Sequence, residues 1–253
     1  MEKEMEQTYD VMEVCLLAGK IILQSGGETY RVEDTMMRIA AAYGIETSHS
    51  YVTPTGIIFS AEGREPAKTK LIRISERSTD LKKVSMVNSV SRKISCGELT
   101  IEEAKTFLNE IDAMDVTFPL KYQVAAASFA SGCFMIMVNG HWNDFIPSMI
   151  FGGIGYLSFV YFHRFVPIKF FSEFLASFII GLLSFIFVKF THGHQLDKII
   201  IGSVMPLVPG LLVTNAVRDL MAGHLVSGLS KGAEAFLTAF AIGAGIAVVL
   251  SFL

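Results

Sequence analysis

Five stretches of uncharged, mostly apolar residues crowd the second half of the chain, and they limit its fold more than any other feature. No charge falls between Lys121 and Asp144, from Phe145 to His163, from Phe174 to Val188, from Ile199 to Val217, or from Ala235 to Leu253. The hydrocarbon core of a bilayer takes about 20 residues of helix, with about 17 tolerable. The pattern therefore predicts spans over residues 122–139, 145–163, 170–189, 199–217 and 235–253, the third gaining length if Phe170 to Glu173 start it at the interface. Phenylalanine dominates that third stretch, which suits lipid contact.

Residues 1–120 read differently. Most Lys, Arg, Asp and Glu residues lie there, so a step in charge density marks a boundary between 1–120 and 121–253. Val11, Val14, Cys15, Ala18, Ile21 and Ile22 recur at helical spacing, as do Val32, Met36, Ile39, Ala40 and Tyr43, and Gly26-Gly27 separates the two runs. Tyr51-Val52 and Ile57-Ile58-Phe59 flank Pro54-Thr55-Gly56 as two short strands around a turn, and Thr69 to Ile74 is a third candidate strand. Ser78, Thr79 or Asp80 caps a helix with Leu81, Val84, Val87, Ser91 and Ile94 on one face, stopping near Gly97. Thr100 to Glu103 fits a capping box, and Ile101, Ala104, Phe107, Leu108 and Ile111 stripe the helix that follows. The fold class expected is an α-helical integral membrane protein with about five transmembrane helices and an amino-terminal α+β cytoplasmic domain.

Placement of that domain rests on charge. The start, Met1 to Asp10, is acidic and lacks the basic and apolar regions of a secretory signal. With the domain inside, Lys121, Arg164, Lys169, Arg218 and Lys231 fall on the cytoplasmic side and only Lys189 and Lys198 outside, in keeping with the positive-inside rule. A cell (inner) membrane location with a cytoplasmic amino terminus follows. Trp142, in the polar turn Asn139 to Asp144, suits an interfacial aromatic.

Composition removes several function classes. Net charge is −3 with no basic run, so nucleic acid is not a partner to expect. Cys15, Cys96 and Cys133 are widely spaced and form no CxxC, which points to neither a disulfide framework nor a zinc site. His192 and His194 are a weak metal pair without further ligands. No cofactor or metal is expected. An intramembrane enzyme needs a nucleophile with its base or a metal set, and the chain has no GxSxG, HExxH or paired intramembrane aspartates; it also lacks the GxxxxGK[ST] of an ATP-driven pump.

The fourth stretch carries the most chemistry. Met205-Pro206-Leu207-Val208-Pro209-Gly210 sets two prolines and a glycine in mid-span, removing backbone donors and freeing carbonyls. Broken helices of this kind form substrate or ion sites in transporters, whereas a plain proline kink is the simpler reading. Beyond the break come Thr214, Asn215, Arg218 and Asp219, the last three on one helical face. Arg218 and Asp219 suit either a gate or an interfacial anchor whose charges reach water. Glu173, early in the third stretch, is a proton-carrying acid or an ordinary helix-start carboxylate.

Gly26-Gly27-Glu28-Thr29-Tyr30-Arg31-Val32-Glu33, Asn88 with Ser91-Arg92, Gly97 to Thr100, and Met205 to Gly210 with Asn215, Arg218 and Asp219 together resemble the threonine/serine exporter family, ThrE type. The resemblance covers nearly the whole chain. It implies a secondary-active exporter of small hydrophilic metabolites, threonine and serine in some members and dicarboxylates such as succinate in others, coupled to the proton gradient. It also gives Glu28, Thr29, Arg31 and Glu33 a role as a cytoplasmic motif. In the family the transporter has about ten spans, fused or divided between two proteins, so a second small membrane protein supplying the remaining helices is the expected partner, with a homo-oligomer as the other way to complete it. The small-molecule substrate and membrane lipid complete the expected contacts. The alternative is a membrane-anchored sensor or scaffold whose soluble domain binds a ligand, although a pure anchor has no need of a broken helix.

Overall fold

The computed structural model describes residues 2–62, 67–115, 117–166, 168, 170–191 and 195–252, with side chains described from residue 8 onward except at position 191. His192, His194 and Lys169, singled out above, lie outside the described residues. Two compact units make up the chain: Met1–Thr117 with Leu211–Gly232, and Phe118–Gly210 with Ala233–Leu253. The second unit thus begins close to residue 120, but a segment of about twenty residues late in the chain returns to the first, which charge density does not signal.

In the first unit, α1 (Glu2–Gln24) and α2 (Thr29–Ala42) precede an antiparallel sheet of β1 (Thr47–Thr53), β2 (Gly56–Glu62) and β3 (Lys68–Arg73), and α3 (Leu81–Ser95) and α4 (Ile101–Ala113) follow it. The β1–β2 hairpin closes at Pro54-Thr55, with Thr53 opposite Gly56. Asp80 caps α3 by accepting from the Lys82 and Lys83 amides, and Thr100 and Glu103 form the reciprocal box that starts α4. Local chemistry therefore fixes both helix starts. The core takes Val14, Ile22, Met36 and Ile39 from α1 and α2, Ile57 and Phe59 from β2, and Val87, Ile94 and Leu108 from α3 and α4. Burial pushes the Cys15 thiol well above its ordinary pKa. Phe107 departs from the expected stripe: it is exposed, with the Lys93 ammonium 5.9 Å from its ring.

The second unit is helical. It contains α5 (Leu120–Met137), α6 (Phe145–Phe165), α7 (Phe171–Thr191) and α8 (Leu196–Val204), the first residue of α9 (Gly210–Met221), and α10 (Leu225–Leu250) from Ala233 onward. Among the described residues, Trp142–Phe165, Phe171–Phe190 and Leu225–Leu250 are long and apolar enough to cross a membrane, and the interrupted pair Leu196–Leu207 and Gly210–Met221 makes a fourth if it counts as one span. The expected count of five is not reached by this measure, because α5 opens on Lys121, Tyr122 and Gln123, which dilute its 18 residues. The helix expected to start at 235 starts at Leu225.

Polarity in this unit is arranged for lipid. Ile146, Ile150, Leu157, Tyr161 and Phe165 of α6 are exposed, as are Phe236 and Phe240 of α10, while Ser131, Ser148 and Ser203 are fully buried. Small residues inside allow close backbone approach, which drives helix packing where the solvent is itself apolar. Ser203 Oγ donates to the Ser148 carbonyl at 3.3 Å, joining α8 to α6. A Cβ built on Gly202 would stand 2.8 Å from the Ser131 carbonyl oxygen and 2.9 Å from Met135 Cα. Trp142 is 74% exposed, but its neighbour Asp144 is buried.

Gly202→Val should separate α5 from α8, at a cost of about 1–3 kcal/mol or more. The expected result is a lower melting temperature and a broadened size-exclusion profile in detergent. Gly243→Ala, where an added Cβ meets no atom within 4 Å, should match the parent.

Candidate functional site

The site is built on the turn between α1 and α2. Gly26 adopts φ +84° and Gly27 N–H reaches back to the Ile22 carbonyl at 2.9 Å, while Gly26 N–H reaches Leu23. This pairing terminates α1 with a left-handed residue, a conformation glycine adopts without steric cost. Gly27 has no room for a side chain, since a Cβ there would lie 2.9 Å from the Ile22 carbonyl oxygen. Glu28 then stands at the start of α2 in extended conformation and makes no side-chain cap, so its carboxylate is free to turn elsewhere.

Against this turn, within the same compact unit, lies the end of α9. Three residues on one face of α9 bind three positions of the turn. Asn215 Nδ2 donates to the Gly26 carbonyl at 2.8 Å, and Arg218 Nη1 donates to Glu28 Oε1 at 2.7 Å. Asp219 receives the Thr29 amide at 3.0 Å on Oδ1 and the Thr29 hydroxyl at 2.8 Å on Oδ2. The i, i+3, i+4 spacing read from the sequence is thus a single binding edge.

A cation completes the cluster. Lys231, on α10, places Nζ 2.7 Å from Asp219 Oδ2, 3.2 Å from Thr29 Oγ1 and 3.4 Å from the Gly27 carbonyl, using the three donors an ammonium has. Both partners are buried, with side chains 4% and 0% exposed. Asp219 and Lys231 thus neutralise each other in the interior of the unit, and neither charge reaches water. Sequence reasoning missed Lys231 because it stands 12 residues from Asp219. The signal that could have found it is Gly223, which ends α9 and folds α10 back into a hairpin.

The remaining motif residues fall around this cluster. Arg31 Nε lies 2.9 Å from Glu28 Oε2, so two guanidinium groups bracket one carboxylate. Burial alone would raise the Glu28 carboxyl, yet its backbone hydrogen bond, Arg218 and Arg31 outweigh that and hold it below its ordinary value. Glu33 accepts the Val52 amide at 2.9 Å and faces His224 Nδ1 at 3.6 Å. Burial, the larger influence, pushes its carboxyl up. Ser227 of α10 donates to the Val52 carbonyl at 2.9 Å, so β1 is tied from both sides. Thr214 is exposed on α9.

Not every candidate joins. Pro206 lies in a 3-10 turn (Met205–Leu207), Val208 is extended at φ −65° and ψ 130°, and Pro209 and Gly210 lead into α9; these proline and glycine residues belong to the second unit. The helix is therefore broken where the prolines predict it. Glu173 is half-buried in the first turn of α7, also in the second unit. Among the described residues no group of three His, Cys, Asp or Glu could hold a metal ion.

Comparison with known proteins gives the family of the chain. A family model described as ThrE, putative threonine/serine exporter, matches residues 13–253. The chain is 23% identical to a probable succinate transporter subunit, YjjP, of Klebsiella aerogenes, over 99% of this chain and 97% of that protein. It is 23% identical to a probable threonine/serine exporter of Mycobacterium tuberculosis and 24% identical to a threonine/serine exporter of Corynebacterium glutamicum, over 92% and 95% of this chain. It spans only 44% and 50% of those two proteins, about half their length. No solved structure matches.

Lys231→Met leaves the Asp219 carboxylate buried without its counter-charge, at an expected cost of about 3–5 kcal/mol. Melting of the purified protein should fall accordingly, and adding Asp219→Asn should restore much of the loss; equal melting of parent and Lys231→Met would refute the pairing. A second expectation concerns acid. Because the folded-state pKa of Glu28 is depressed from 4.5, its contribution is present above about pH 4.5 and fades as pH falls through the lower folded value. Glu28→Gln should flatten that acid limb in a plot of melting temperature against pH.

Proposed function

Since the chain belongs to the ThrE family of putative threonine/serine exporters, we propose that it is a subunit of a secondary-active exporter of small hydrophilic metabolites. The family is one of transporters, and no enzymatic activity is assigned to the chain. The substrates are threonine- and serine-type amino acids or dicarboxylates such as succinate, the solutes named for its relatives. The proton gradient drives export, the protein lies in the cell membrane, and the amino-terminal part faces the cytoplasm. In this reading α5 is a fifth span, joining the three apolar helices and the interrupted pair.

The observation that carries the proposal is the interruption at Val208-Pro209, in a chain matched by the family model over residues 13–253. An extended residue between two helices leaves carbonyls without helical partners, and such breaks persist in membranes where they line protein or water-filled cavities. Pro206, Pro209, Gly210, Thr214, Asn215, Arg218 and Asp219 are proposed as the transport path with Glu173 as a proton or gate residue. A transport unit rocks one bundle against another. The naming of a relative as a subunit, and the double length of two others, support a second membrane component, which is a separate protein or a second copy.

Cells that express the chain with its second component should release preloaded threonine, serine or succinate faster than control cells. Release no faster than in controls for all three rejects export of these solutes. Pro209→Ala should lower release while leaving the amount of protein in the membrane unchanged; an unaltered rate removes the broken helix from the path.

A further inference from the structure

Residues from three of the segments that carry the family resemblance, far apart in the chain, line one cleft in the first unit. Its volume is about 310 Å³, at the small end of ligand sites, and its polar lining comes from Glu28, Arg31, Asn88, Arg92, Asn215 and Arg218. Gly26-Gly27, Ser85 and the apolar side chains of Leu81, Val84 and Leu211 form the rest of the wall.

Charge in the cleft is unbalanced. Three guanidinium groups face one carboxylate, an excess of two positive charges among the lining residues. Glu28 is engaged by two of those groups, at 2.9 Å from Arg31 and 2.7 Å from Arg218, and its side chain is only 8% exposed. With both oxygens in ion pairs and little of the side chain accessible, it presents little surface to a ligand's ammonium group. The arginines are more accessible. Arg218 and Arg31 side chains are 54% and 38% exposed, and Arg92 is exposed with Nε tied to the Asn88 carbonyl at 3.3 Å. A guanidinium carries five N–H donors in a planar fork that matches a carboxylate, and each arginine keeps donors beyond the bonds just named.

We propose that this cleft binds a small dicarboxylate, one carboxylate taken by Arg92 and the other by the outer N–H groups of Arg31 and Arg218. The identity of that ligand as a solute the protein handles rests on the exporter reading. Selectivity follows from the charges. A dianion meets the excess of two positive charges, whereas an amino acid zwitterion brings an ammonium group to which Glu28 presents little surface. The amides of Asn88 and Asn215 add polar contacts that do not depend on charge.

The test is calorimetric titration of the purified full chain in detergent with succinate, threonine, succinamide and sulfate. Succinate should bind, and threonine, succinamide and sulfate should bind at least about tenfold more weakly, the difference one charge-assisted hydrogen bond supplies. Arg92→Gln, at an exposed position outside the buried ion pair, should melt like the parent without ligand yet lose at least about tenfold in succinate affinity. Asn88→Ala is the second variant and should also weaken binding. The inference is overturned by an absence of succinate binding, by equal affinity for threonine or sulfate, or by unchanged binding in Arg92→Gln. The two readings fail separately: export without succinate binding refutes the cleft alone, and succinate binding without export refutes the transporter alone.

Discussion

A carboxylate with no access to water holds the first unit together. Asp219 is fully buried, and an isolated charge in that position would be prohibitively costly. It is tolerated because each oxygen is occupied: the Thr29 amide binds one, and the Thr29 hydroxyl and the Lys231 ammonium bind the other. Lys231 in turn spends its remaining donors on Thr29 and Gly27. The pair thus imposes a geometry. The α1–α2 turn, the end of α9 and the start of α10 must arrive together, or a charge is stranded.

That demand explains why residues distant in sequence act as one group. Asn215 and Arg218 lie one turn and one residue before Asp219 on the same helix, so fixing Asp219 delivers them to Gly26 and Glu28. Glu28 then holds Arg31 and Arg218 side by side. The second unit follows a different logic. Its interior mixes serine and glycine with a small apolar cluster of Ile180, Ile200, Val204, Leu207 and Ile242, while many large apolar side chains lie exposed; small residues at helix contacts permit the close backbone approach that packs helices in an apolar solvent.

Much of this was legible in residue order wherever the cause is local. Asp80, the Thr100–Glu103 box, the Pro54-Thr55 hairpin and the Met205–Gly210 break each arise from neighbours within a few residues, and each stands where the pattern predicts. Non-local pairing was not legible. Lys231 resembles a membrane-border charge until Asp219 is placed beside it, and α10, which carries it, starts at Leu225. The exposure of Phe107 shows the converse, an apolar residue at correct helical spacing that the fold leaves outside. For α5, the helix is present as expected, but Lys121, Tyr122 and Gln123 at its start blur the hydropathy signal.

The account turns on Asp219 anchoring the α1–α2 turn, and hydrogen exchange at one amide tests it. Thr29 is the first residue of α2, a position whose N–H has no partner within the helix. Its protection must come from Asp219 Oδ1, 3.0 Å away. The Thr29 amide should exchange slowly in the parent and at close to the unprotected rate in Asp219→Ala, while amides from Ile39 to Ala42 keep their protection. Free exchange at Thr29 in the parent, or protection that survives Asp219→Ala, would contradict the account.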